Sequence, residues 1–262
     1  MSTEGTFARM TPPAVTVVNE AGASPIVLLC EHASNHIPAR YARLGLTEAD
    51  LERHIAYDIG AAEVARTLSR RLDAVLALSG YSRLLIDCNR PLAASSSIPE
   101  RSEDTVVPGN IGISANERAE RDALFFRPFR ERVAELLDAR LRAGRPTVLI
   151  GMHSFTPVYQ GVSRIWHAGM LYARARRLGR AMIEGLRAAD PSLVVGDNEP
   201  YTISDEGDYT VPYQGDGRGI PTALIEVRQD LIADGAGQEA WAGRLAAVLA
   251  SVAADLAGIA ER

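Results

Sequence analysis

Three apolar runs in this chain end in side chains that can hold a metal or move a proton. PIVLLC stops at Glu31-His32, TVLIGM stops at His153-Ser154, and TALI leads into Glu226-Val227-Arg228. Each run has the composition of a buried strand. In open α/β sheets, ligands bind beyond the carboxyl ends of the strands. If the three runs lie parallel and close together, two imidazoles and a carboxylate converge on one cleft. That inventory suits a hydrolytic zinc site: imidazoles and a carboxylate as ligands, an open position for water, and a further glutamate to take a proton. The competing reading is a strand-end histidine that is merely hydrogen-bonded; two of them, each directly after an apolar run, keep the metal reading beside it. His32 and His36 have the i, i+4 spacing of a helix-borne zinc pair, but Asn35 and Pro38 argue against a helix there. Cys30 lies inside its apolar run and reads as a buried thiol. Cys88 has no base near it in sequence, and Ser34 and Ser154 lack a Gly-x-Ser-x-Gly turn.

The elements that must position these groups follow from the spacing of apolar residues. Candidate strands span 26–30, 74–78, 83–87, 147–152, 168–172, 193–195 and 222–227. Candidate helices span 47–56, 60–72, 115–143, 175–188 and 238–258, with apolar residues three and four apart, as in Val64, Leu68 and Leu72. Asp58 is placed to cap the second helix. The alternation predicts an α/β domain with a mixed, mostly parallel sheet and helices on both faces. Two polar, Pro-punctuated stretches, 88–114 and 196–221, are long enough to be functional loops.

No linker divides the 262 residues, which are 47% hydrophobic, so a single domain is expected, with 1–24 as an extended N-terminal segment. A formal charge of -5 argues against nucleic acid or an anionic membrane as partner, and no run of about 18 apolar residues exists to span a bilayer. The N-terminus lacks a basic start followed by an apolar stretch, so a cytoplasmic protein is expected. Two cysteines are too few for a disulfide framework. All 28 basic residues are arginine, which excludes a pyridoxal Schiff base, a lysine aldolase and a phosphate-loop kinase of the usual type. No feature sets an oligomeric state.

The blocks CEHASNHIP, HIAYDIGA, YSRLLIDCNRP, HSFTP, RIWHAGMLY, VGDNEPY and RGIPTALIEVRQDLI occur in this order over roughly residues 25 to 245. Together they resemble the N-formylglutamate amidohydrolase family, itself similar to the zinc carboxypeptidases and N-acyl amino acid deacylases. The resemblance implies a phosphorylase/hydrolase-like fold of the zinc carboxypeptidase kind. It also implies a metal-dependent hydrolase releasing formate and glutamate from N-formylglutamate, a small-molecule substrate of histidine degradation. Hydrolysis of another N-acyl or N-formimidoyl amino acid, or non-catalytic binding of an acidic metabolite, are the alternatives.

By the same resemblance, His32 and His153 match the two imidazole ligands and Glu226 the late-strand catalytic glutamate. Where the carboxypeptidase pattern has its carboxylate ligand, three residues after the first histidine, this chain has Asn35. Asp58 is the replacement, with Glu31 its rival. The ion is expected to be zinc, with manganese, cobalt and iron also suited to these donors. The blocks further supply Arg83, Arg90, Arg164 and Arg228, whose planar forks match carboxylates. Arg83, Asn89 and Arg164 are expected to contact substrate. Arg228 either joins them, orients Glu226 or pairs with Asp230. His167 is expected to donate to the oxyanion or to support a ligand.

Overall fold

Runs that are apolar at every position, without alternation, require cover on both faces of their sheet. Ile26–Cys30 and Val148–Phe155 are buried at every residue. The computed structural model describes residues 11–260. In chain order it contains β1 (Val15–Val18), β2 (Ile26–Cys30), α1 (Glu48–Leu51), α2 (Ala61–Leu72), β3 (Val75–Ser79) and the hairpin β4–β5 (Arg101–Ser102, Thr105–Val106). There follow α3 (Ala115–Arg121), α4 (Arg127–Arg142), β6 (Val148–Phe155), the hairpin β7–β8 (Val158–Tyr159, Val162–Ser163) and β9 (Ala168–Leu171). The chain ends with α5 (Arg176–Ala189), β10 (Val195–Asp197), β11 (Thr222–Arg228) and α6 (Gly235–Ala260).

Seven strands form one sheet in the order β1-β3-β2-β6-β11-β9-β10. β3, β2, β6 and β11 run parallel to their neighbours, whereas β1 and the β9–β10 pair meet this block antiparallel. Side-chain alternation sends Leu28, Ile150 and Ile225 to one face, against α2, α5 and α6. It sends Leu29 and Leu149 to the other, against Phe129, Val133 and Leu137 of α4. Leu28 and Leu29 are fully buried, each contributing about 1.5–3 kcal/mol. The result is the single-domain, mixed and mostly parallel α/β architecture with helices on both faces. No helix among the described residues is long and apolar enough to cross a membrane.

Four local expectations are corrected. Residues 83–87 are not a strand but a series of turns: Leu85 N–H donates to Ser82 O at 2.9 Å and Asp87 N–H to Ser97 O at 2.8 Å. Leu84, Leu85 and Ile86 fill a separate core with Phe125 and Phe126. The sheet edge beside β3 is taken by β1, which lies in the segment expected to be merely extended; residues 1–10 fall outside the described residues. The helix expected over 47–56 stops after α1. Thr47 and Asp50 form a reciprocal capping box at its start, and the Asn35 side chain takes the Leu51 carbonyl at 3.0 Å. Asp58 does not cap α2: Gly60 holds that position, and the Asp58 carboxylate turns instead toward two histidines. The helix over 115–143 is continuous but carries a π turn at Asp122–Phe126, directly before Pro128, which cannot donate to an i−4 carbonyl.

Candidate metal centre and its cavity

Parallel pairing of β6 with β11 puts His153 and Glu226 in register on adjacent strands. Alternation gives Glu31 the same sheet face as Leu29, the face that carries His153. His32 follows Glu31 in the turn that begins after Cys30, the last residue of β2, and there the chain leaves the strand alternation, so His32 joins the same cluster. Asp58 arrives from the segment before α2, its N–H bonded to His32 O at 2.9 Å.

The Oδ2 atom of Asp58 lies 3.3 Å from Nδ1 of His32 and 2.9 Å from Nδ1 of His153. One ligand atom from each of these three buried residues falls within 4.8 Å of the others. The far nitrogen of each ring faces another carboxylate. His32 Nε2 is 2.8 Å from Asp87 Oδ1, and His153 Nε2 is 3.1 Å from Glu31 Oε2, too poorly aligned for a hydrogen bond. Arg83 bridges the acids, its Nη2 donating to Asp87 Oδ2 at 2.9 Å and its Nη1 standing 3.5 Å from Asp58 Oδ1. Thr210 Oγ1 donates to Glu31, and Asn89 N–H to Asp87 Oδ1 at 2.8 Å.

This donor set fits a divalent cation. Nδ1 of both rings faces the same carboxylate oxygen; where both nitrogens carry lone pairs the arrangement is repulsive, and a cation between them relieves it. Four buried carboxylates (Glu31, Asp58, Asp87 and Glu226) have one guanidinium, Arg83, among them. Glu226 Oε2 and His153 Nε2 are buried without a hydrogen-bond partner. Without a cation, protons take its place. Burial opposes charge on His153, but Glu31 and Asp58 outweigh it and hold its pKa well above the ordinary value. Burial and Arg83 likewise oppose charge on His32, yet Asp87 and Asp58 raise its pKa. Burial works against ionisation of Asp58 too, yet the two histidines hold it well below the usual carboxylate range. Glu226 goes the other way: burial, with the charge of Asp58, pushes it up to about 7.

A cavity of about 200 Å³ opens beside the cluster, small beside the roughly 300–1,000 Å³ of drug-sized pockets. His32, Asp58, His153, Glu226, Arg83 and Asn89, all singled out from the sequence, line it. Asn89 Oδ1 accepts the N–H of Thr210 at 2.9 Å. Arg164, Arg228 and His167 are not among the lining residues. Arg164 stands over the rings of Tyr159 and Tyr201, which do line the cavity, and donates to Tyr201 Oη at 2.9 Å. Arg228 forms a two-pronged ion pair with Asp230. His167 Nδ1 accepts the Val194 N–H at 2.9 Å. Sequence reasoning missed Asp87, which ends the apolar run LLI much as His153 ends another, and so carried a usable signal. It also missed Thr210, Tyr201, His54, Glu103 and Asp208, which the long loops and turns bring in without periodicity to mark them.

A mostly parallel sheet covered on both faces, with a histidine–carboxylate cluster beyond its strand ends, places the protein among the α/β amidohydrolases. Within that class the chain belongs to the N-formylglutamate amidohydrolase family, whose model it matches over residues 24–233. A solved gene product from Agrobacterium tumefaciens is similar at 39% identity and a TM-score of 0.88, over 94% of this chain and 97% of that one. An N-formylglutamate amidohydrolase from Ralstonia eutropha JMP134 shares the fold at 16% identity and a TM-score of 0.62, over 92% of this chain and 97% of that one. No curated protein matches the chain.

Proposed function

We propose that the protein is a metal-dependent amidohydrolase cleaving N-formyl-L-glutamate to formate and L-glutamate in the cytoplasm. The observation that carries this reading is the single oxygen of Asp58 facing Nδ1 of both His32 and His153, with Glu226 in the same cavity. His32, Asp58 and His153 would hold the ion, zinc first among the metals these donors suit. Such an ion supplies Lewis acidity, polarising a carbonyl and acidifying water.

The chain's own residues do the rest. Asp87 is hydrogen-bonded to the outer nitrogen of His32 and so fixes its ring and tautomer, while Glu31 sets a carboxylate 3.1 Å from the outer nitrogen of His153. Glu226, with a pKa pushed up to about 7, takes a proton from the attacking water and returns it to the leaving amine nitrogen. Arg83, beside the cluster, receives the substrate carboxylate next to the scissile amide, and Asn89 offers its amide N–H groups from the cavity wall. Arg164 acts through Tyr201, while His167 and Arg228 brace the chain behind the cavity.

Metal analysis together with a formate-release assay tests the reading. Wild type should carry a divalent transition metal and release formate faster from N-formylglutamate than acetate from N-acetylglutamate. His32→Ala and His153→Ala should lose both metal and activity. Full metal occupancy in both variants would reject the ligands, and activity confined to larger acyl groups would reject the substrate.

A further inference from the structure

We infer that Arg90 selects the substrate, its free guanidinium edge receiving the side-chain carboxylate of a dicarboxylic N-acyl amino acid. This rests on the hydrolytic reading above and deepens it. Of the four arginines in the family-like blocks, Arg164 and Arg228 stand outside the cavity lining, and Arg83 serves the metal cluster and the carboxylate next to the amide. Arg83 neutralises Asp58 and Asp87, Arg164 stands over tyrosine rings, and Arg228 pairs with Asp230. Arg90 lines the cavity and is held from one side. Its Nη1 donates to Gly207 O at 2.6 Å, to Asp208 Oδ1 at 2.7 Å and to Asn89 O at 3.3 Å. All three of these bonds leave from Nη1; the Nε–Nη2 edge carries none of them. That edge is a pair of parallel donors, the geometry a carboxylate accepts bidentately.

The fork is also held rigidly. Asp208 is itself tied down, its Oδ2 accepting the Ser204 N–H at 3.0 Å, and the loop that carries it is joined to Asn89 through the Tyr209 N–H at 3.1 Å. A pre-oriented fork loses little freedom when it binds. The other charges in the cavity wall leave Arg90 the anion-binding role. Glu103 is paired with Arg53 at 3.0 Å and stands 3.2 Å from His54, whose pKa burial lowers, and Asp208 is paired with Nη1 of Arg90. His32 and His153 face the metal cluster. Arg83 stands at that cluster, and Arg90 stands beyond the turn at residues 84–89, against the 204–210 loop. Two guanidinium groups line the cavity, and glutamate carries two carboxylates: Arg83 takes the one beside the amide and Arg90 the distal one.

The test compares substrates that differ only in the distal charge. Formate release from N-formylglutamate and N-formylglutamine is measured for wild type and Arg90→Gln, with calorimetric binding of L-glutamate and L-glutamine to the same metal-loaded proteins. Wild type should prefer the glutamate member in both assays. Arg90→Gln should lower kcat/KM for N-formylglutamate about 100-fold, mainly through KM, and lower it far less for N-formylglutamine, for which only the bonds to the 204–210 loop are lost. Arg90→Lys, which keeps the charge but not the fork, should retain part of the preference; should Arg90→Gln not fold, it carries the comparison. A wild type without the preference, or a variant that keeps all of it, overturns the inference. Glutamate-selective binding without formate release would instead sink the hydrolytic reading and leave Arg90 its role.

Discussion

Glu226 is the residue whose chemistry depends most on its surroundings. An exposed glutamate is a weak base at neutral pH; burial and the nearby Asp58 charge raise this one to about 7, near the optimum for proton transfer. Glu226→Gln should lower kcat by roughly 10²–10⁴-fold while metal content stays at the wild-type level. The base works ionised, so the rate should rise as pH climbs through its pKa. A cation at the cluster favours the ionised form, which sets this limb below about 7. A kcat–pH profile between pH 5 and 8 checks it, and the limb should vanish in Glu226→Gln. Thr210 acts one step further out, through Glu31. Thr210→Val should weaken metal affinity roughly 10–100-fold and Thr210→Ser should restore it, as read by competition with a chelating dye.

At the scale of elements, the joint between Asp58 and α2 is the critical one. Gly60 has φ +77°, and a Cβ there would stand 2.1 Å from the carbonyl oxygen of Ile232. Gly60→Ala therefore meets both a left-handed backbone and a clash with another segment's main chain. It should cost at least about 2 kcal/mol, lower Tm by several degrees, and weaken metal binding by moving Asp58. Gly112→Ala is the control: φ is +63°, but nothing lies within 4 Å of the added carbon. Thermal melts should show it losing only about 1–2 kcal/mol, with metal affinity intact. Helices α2 and α5 and strands β2, β6 and β11 were legible in the sequence because their patterning is local. The turns at 83–87 were not. LLI has the composition of a strand, and only the occupation of the sheet edge by β1 and the core around Phe125 and Phe126 decide otherwise.

For the whole molecule, the cluster couples metal to stability. Metal at 100 times its Kd should add about 2.7 kcal/mol, which for a chain of this size raises Tm by roughly 5–10 °C. The pH dependence has a definite sign. His32 and His153 have raised pKa values in the metal-free fold, so the stability they lend is complete below the unfolded histidine pKa and is lost as pH rises through the folded values. Asp58 and Asp87 are lowered, so their contribution is present above the unfolded carboxylate pKa and is lost only in strong acid. The difference in Tm between metal-loaded and chelator-treated protein should therefore widen from pH 6 to pH 8. A gap that stays constant over that range would show that protons and metal do not compete for the cluster.

The sequence alone determined which residues could react and which strands carry them, because burial on both faces, polar strand ends and arginine-only basic chemistry are all local properties. It pointed to His32, His153 and Glu226 through their place at the ends of apolar runs. The tertiary structure alone decided that Asp58 faces two rings rather than capping a helix, that Asp87 and Thr210 stand behind the cluster, and that Arg90 lines the cavity. The reason is separation: 26 residues divide His32 from Asp58 and 179 divide Glu31 from Thr210, so only strand order and loop packing bring them within a few ångströms.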